Sequence, residues 1–414
     1  MIAGLRARGV RLYYGWVIAG TLAATETISW GILFYAFSVF LVPMQAELGW
    51  SSGELTGAYS LGLLIAGLAA LPVGRWLDRH GPRSIMTAGS ILGTGLLLAW
   101  ATVDDLTVFY LIWAAMGLAM AATLYEPAFA VIAVWFERDR GRAMLLLTFF
   151  AGLASTIFLP VATWLVEALG WRQALVALAI FLGATTIPAH ALLLRRRPED
   201  LGLQPDGVAY AQGLDLTSAP VITGTTLREA LHAAAFWWLS IAFSLGTLAS
   251  VAIGVHLIPY LLELGYDAGF AAIATGLIGA TQVVARVLVS LVGDRWPQVA
   301  VTTVVFALQG AAFIILLGWN QPAGVLLAVI LLGAGRGATT LTRAGLVAEL
   351  YGRAHYGAIG GTLALFLTGS RAVAPVGAGV AYGWRDGYGP VLWGLAVASM
   401  LAALAMIGVP GWRR

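Results

Sequence analysis

Long apolar stretches separated by short polar turns run through nearly the whole chain. Mostly hydrophobic runs of about 18 or more residues recur, and each is long enough to cross a bilayer as a helix. Twelve such spans are predicted, at about 15–40, 52–75, 82–102, 106–134, 142–168, 171–194, 233–260, 267–293, 297–318, 322–348, 355–382 and 388–410. In lipid the backbone must satisfy its own hydrogen bonds, so these spans are helices. Between the sixth and the seventh, residues 195–232 are polar and rich in Gly, Pro, Asp and Thr, which marks a linker. The expectation is an all-α integral membrane protein with 12 transmembrane helices in two pseudo-symmetric six-helix bundles. The expected division is a first bundle at 1–194, a linker at 195–232 and a second bundle at 233–414.

The two halves repeat one another. A charged, glycine-punctuated turn, Gly74-x-x-x-Asp78-Arg79-x-Gly81-x-Arg83, has a weaker copy at Gly293-Asp294-Arg295. At the same spacing Pro43-x-x-x-Glu47-Leu48-Gly49-Trp50 pairs with Pro259-x-x-x-Glu263-Leu264-Gly265-Tyr266, and, one residue out of step, Pro160-Val161 pairs with Pro375-Val376. Two six-helix units related by an axis along the membrane normal are a known transporter build.

Composition sharpens this picture. Of 414 residues 60% are hydrophobic and 10% charged, against about 25% charged in soluble domains. With no cysteine, disulfides and thiolate metal sites are excluded. All 23 basic residues are arginine. They cluster in one set of turns (Arg6, Arg8, Arg11, Arg75, Arg79, Arg83, Arg138, Arg140, Arg142, Arg195 to Arg197, Arg353), while the opposite turns hold Arg172 and Arg385. The arginine-rich side is therefore expected in the cytoplasm, with both termini, and the cell inner membrane is the expected location. The net charge of +3 comes from loop arginines and gives no argument for nucleic acid. No segment reads as a cleavable signal.

The turn Gly74-x-x-x-Asp78-Arg79-x-Gly81-x-Arg83 resembles the signature between helices two and three of the major facilitator superfamily. Within it, Tyr14-Gly15-Trp16 with Gly31 to Trp50, and Trp135-Phe136-Glu137-Arg138-Asp139-Arg140-Gly141-Arg142-Ala143, resemble the monocarboxylate-transporter and oxalate/formate-antiporter branch. That resemblance implies a small carboxylate as substrate. It implies a basic residue in helix eight as its anchor, which falls on Arg286, and in the oxalate type a second in helix eleven, where Arg371 stands. The chain departs from the animal pattern at Gln282, where that pattern has an aspartate one turn before the arginine. The turn itself implies a conformational latch made of Gly74, Asp78, Arg79, Gly81 and Arg83, with Asp294 and Arg295 in the repeat. Asp78 is expected to pair with arginines and helix ends of neighbouring turns.

Ionisable groups at membrane depth cost roughly 2.5–3.5 kcal/mol at a helix centre and so mark function. Six occur: Glu26, Glu126, Arg286, Arg336, Arg343 and Arg371. The acids fall in the first half and the bases in the second, so a shared cavity is net positive and suits an anion. Gln282 and Arg286 share a helix face, and a guanidinium meets a carboxylate with two parallel hydrogen bonds. Arg336, Thr340 and Arg343 also share a face, and Tyr125 can donate a hydrogen bond to a carboxylate. Glu126, beside Pro127, and Glu26 are candidate proton carriers, and His256 titrates in a suitable range. Each acid has the alternative of a permanent salt bridge across the halves.

The reading is a secondary active transporter of a small organic anion, a monocarboxylate such as lactate, pyruvate or formate, moved with protons by alternating access. Its alternatives are an oxalate/formate-type anion exchanger and a proton-driven exporter of drugs or other xenobiotics. No hydrolase, nucleotide-binding or metal motif occurs. An enzyme is therefore not expected, nor a cofactor; the expected partners are the substrate anion, protons and the lipid bilayer, and a monomer is the expected state.

Overall fold

The computed structural model describes residues 13–207, 224–292, 296–383 and 387–410. Twelve long helices fill it. They are α1 (Tyr14–Leu48), α2 (Ser52–His80), α3 (Pro82–Trp100), α4 (Leu106–Trp135), α5 (Arg140–Leu169), α6 (Trp171–Leu193), α7 (Ala234–Glu263), α8 (Ala268–Val292), α9 (Gln298–Gly318), α10 (Pro322–Tyr351), α11 (Tyr356–Gly383) and α12 (Gly389–Ile407). Eleven are both long and apolar enough to cross a membrane. The other, α3, has the length, 19 residues, but its polar Arg83, Ser84, Thr87, Ser90 and Thr94 dilute its hydropathy.

Local chemistry explains the helix ends. Ser51 and Glu54 form a reciprocal capping box at the start of α2. Asp105 accepts from the Val108 N–H at the start of α4. Gly81, at φ +79°, turns α2 into α3 with Pro82 in the first turn. Three helices are irregular inside the membrane. α1 loosens into a π-helical stretch at Trp30–Tyr35. α4 breaks at Leu124, whose backbone is extended, and resumes at Tyr125 with Pro127 in its first turn. α5 is interrupted at Leu153.

Three apolar clusters set the shape of the molecule. At the arginine-rich end one cluster runs through both bundles, from Ile18, Phe129 and Trp135 of the first to Phe243, Val347 and Ile359 of the second. At the opposite end each bundle keeps a cluster of its own, around Phe40, Trp100 and Trp113 in one and Leu257, Phe313 and Leu392 in the other. The halves are thus joined at one end and separately packed at the other.

Glycines allow two close helix pairs. α2 meets α11 where Gly74 faces Gly357, and a methyl on either would strike the carbonyl of the other glycine. Within the second half α10 meets α8 where Gly333 covers Thr281 and Gly337 covers the Gln282 backbone. Gly337→Val places a branched side chain against that carbonyl. Overpacking of this kind costs about 1–3 kcal/mol, so the melting temperature in detergent is expected to fall below that of the parent, as measured by intrinsic-fluorescence unfolding.

Candidate functional site

Five of the six mid-membrane charged groups meet between the two bundles, and each is compensated differently. Arg286, on α8, is buried, and its Nη1 donates to the Thr148 carbonyl of α5 at 2.7 Å, across the seam between halves. The same atom lies beside Gly152, and Nε has no partner. Arg343, on α10, is buried and pairs with Glu126 of α4 at 2.7 Å, again across the seam. Glu126 stands in the first turn of the helix that resumes after the break at Leu124.

Arg336 and Arg371 differ from these. Both are accessible, and among the described residues neither has a protein carboxylate or a hydrogen-bonded acceptor for its guanidinium. Arg371 lies in the electrostatic reach of Arg343, Glu126 and Arg336, so its accessible surface opens on the space between the bundles. Arg336 lies in the reach of Tyr35 and Arg286. Gln282 is half-buried, one turn before Arg286. The space is therefore walled by cations on α8, α10 and α11.

The facing wall is aromatic. Tyr125 stacks on Phe129 with ring centroids 5.2 Å apart and packs on Trp30 at 4.9 Å. Trp30 in turn meets Phe34 at 4.9 Å. Tyr35 lies in the electrostatic reach of Arg336 and Arg286, a role that its helical-wheel position does not announce. The π-helical stretch rotates every residue after Trp30 relative to a regular helix.

Glu26 is fully buried beneath this aromatic wall, and neither carboxyl oxygen has a well-formed hydrogen bond. The Trp30 indole N–H is a donor in its vicinity but is likewise left without a bond of good geometry. Its charged neighbour is the like-charged Glu126. An ionised carboxylate sealed here, without a cation, is expensive.

The remaining expected site residues lie elsewhere. His256 Nε2 faces the Pro375 carbonyl at 3.2 Å and its Nδ1 the Tyr388 hydroxyl at 3.2 Å. Among the described residues Asp78 pairs with no arginine. Its two oxygens accept from the N–H groups of Gly357 and Ala358, each at 2.9 Å, which caps the first turn of α11 in the other half. Arg79 and Arg83 are exposed, and Gly81 makes the turn. Asp294 and Arg295 lie outside the described residues.

Against known proteins, a profile of the Major Facilitator Superfamily matches residues 23–375. The chain belongs to that superfamily. It is 28% identical over 318 residues to monocarboxylate transporter 13 of Bos taurus, covering 76% of this chain and 67% of that protein. Its fold is similar to the fucose:proton symporter of Escherichia coli, with a TM-score of 0.72 at 15% identity, over 96% of this chain and 99% of that one. A bacterial homologue of the iron transporter ferroportin, solved in an outward-facing state, gives a TM-score of 0.70 at 15% identity, over 95% and 99%. As a member of the superfamily the chain is an integral membrane transporter of a small molecule, with relatives in the monocarboxylate branch.

The inter-bundle cap on α11 gives a direct test. Losing an N-cap acceptor costs about 0.5–2 kcal/mol, here paid in the joined arrangement alone. In this cysteine-free chain Ala354→Cys, beside the cap, is a clean reporter. Adding Asp78→Ala is expected to speed its maleimide labelling by about two- to thirtyfold.

Proposed function

We propose that this transporter carries a small organic anion, of the monocarboxylate type, by alternating access with proton symport. The observation that carries the reading is the set of three arginines, Arg286, Arg336 and Arg371, around one inter-bundle space, with no protein carboxylate on any of them among the described residues. The likeness to monocarboxylate transporter 13 supports the same class.

In this reading the arginine-rich end faces the cytoplasm and is closed. The joined apolar cluster, the Asp78 cap and the Arg343–Glu126 pair hold it shut. The anion enters from the separated end. Arg286 takes the carboxylate with Nε and its outer amino group, while Arg371 and Tyr125 add donors. Gln282 lies one turn away on the same face. With the positive charge neutralised, the halves close over the site and reopen towards the cytoplasm.

Glu26 serves as the proton carrier. It is buried without a cation, next to the ring that would hold the substrate. Glu126, bound to Arg343, works as part of the gate. His256, with both nitrogens occupied, takes no part in proton movement.

Uptake into proteoliposomes, with lactate, pyruvate, formate and oxalate as substrates, tests the reading. Arg286→Gln is expected to cut uptake of the accepted anion by about tenfold to a hundredfold, the value of charge-assisted hydrogen bonds. Transport of an uncharged compound, indifferent to that change, would support the xenobiotic exporter instead.

Glu26→Gln fixes the carboxyl in a form that cannot ionise. It is expected to preserve counterflow of labelled anion while abolishing accumulation driven by an inward proton gradient. Retention of gradient-driven accumulation would remove Glu26 from the coupling and leave anion exchange as the better description.

A further inference from the structure

The glycine contacts between α8 and α10 fix the relative height of two arginines. Gly333 lies over Ile278 and Thr281, and Gly337 lies over Gln282. Arg336, between them in sequence, therefore stands level with Gln282. Arg286 follows Gln282 by one helical turn, a rise of about 5.4–6 Å. The two arginines thus leave their helices one turn apart: Arg286 nearer the closed end, Arg336 towards the separated end. Their environments differ to match. Arg286 is buried against Thr148, whereas Arg336 is accessible and passes over Gly254 of α7.

Arg336 tolerates this position while the space is open to water. When the bundles close over a substrate, that water leaves, and a guanidinium without an anion then bears the desolvation penalty alone. A monocarboxylate on Arg286, with Arg371 as a further donor, leaves Arg336 uncompensated. The acids in reach do not make up the difference, because Glu126 is engaged by Arg343 and Glu26 is sealed behind the aromatic wall.

We propose that the preferred substrate is a dianion, a dicarboxylate whose second carboxylate is held by Arg336, with the Tyr35 hydroxyl beside it. This rests on the anion reading above and replaces its monocarboxylate with a dicarboxylate. The one-turn step between Arg286 and Arg336 suits carboxylates separated by a short carbon chain, as in succinate, better than the adjacent pair of oxalate. Arg336 is then the residue that sets mono- against dicarboxylate preference, and Arg286 remains the common anchor.

Binding of succinate and of butyrate, equal in carbon number and different in charge, decides the matter. Both are measured on the purified full chain by isothermal titration at about pH 8, where every carboxyl of the two ligands is ionised. The parent is expected to bind succinate at least about tenfold more tightly, the contribution of one further charge-assisted interaction. R336Q is expected to bring the ratio close to one, R336K to retain a preference for succinate, and oxalate to bind the parent more weakly than succinate does.

Equal affinities for succinate and butyrate on the parent overturn the proposal, and they do so without any variant, even where R336Q fails to fold. A preference that survives intact in a folded R336Q also overturns it. If none of these carboxylates binds and an uncharged or cationic compound does, the underlying anion reading fails, a result distinct from the other two.

Discussion

Compensation of charge in a low-dielectric interior is the constraint on which this structure turns. An ionisable group at membrane depth must find a partner, water or neutrality. The charged groups meet this demand in different ways. Arg343 takes a carboxylate, Arg286 takes a backbone carbonyl, Arg336 and Arg371 keep contact with solvent, and Glu26 is shut away without a cation. Two of these solutions reach across the seam between bundles. They exist only while the closed end stays closed, so the groups suited to bind an anion are tied to the packing that sets the conformation.

The same logic explains the Asp78 cap. A carboxylate receiving two N–H groups of a helix start compensates two orphan donors and the positive end of the helix dipole together. It does so between the bundles, and the close approach of Gly74 to Gly357 lets it reach. Larger residues at either position would hold α2 and α11 apart and leave the carboxylate facing unsatisfied backbone. The charged turn is thus one half of a joint whose other half is a glycine-rich helix start, Tyr356-Gly357-Ala358, with no charge of its own.

Much of this was legible in the residues, and the limits have physical causes. Apolar run length locates the helices because the bilayer sets a minimum, and only α3 blurs the pattern, through Ser90, Thr94 and their neighbours. The six mid-membrane charges stand out for the same reason. Their partners do not, since a pairing such as Arg343 with Glu126 depends on how two bundles meet. Arg286 settling on the Thr148 carbonyl is further from reach, because a backbone acceptor leaves no mark in residue type. Tyr35 escapes notice because the π-helical stretch shifts the phase of α1. His256 suggests titration by its type, and only its two neighbours, Tyr388 and the Pro375 carbonyl, give it a structural duty.

The Arg286–Thr148 contact also indicates how binding could move the bundles. A ligand shifts a two-state equilibrium only by its differential affinity for the states. In the arrangement seen here one guanidinium nitrogen is already committed to the first bundle, and Nε is left over. In the proposed reading, a carboxylate arriving from the separated end competes for the same cation. Each hydrogen bond that it takes from the guanidinium weakens the claim of the Thr148 carbonyl, a neutral acceptor, since charge-assisted bonds to carboxylates are roughly twice as strong as neutral ones. Binding thereby loosens one of the ties at the closed end. An anchor built on a free arginine, with no carbonyl across the seam, would bind the anion equally well and leave the gate unmoved.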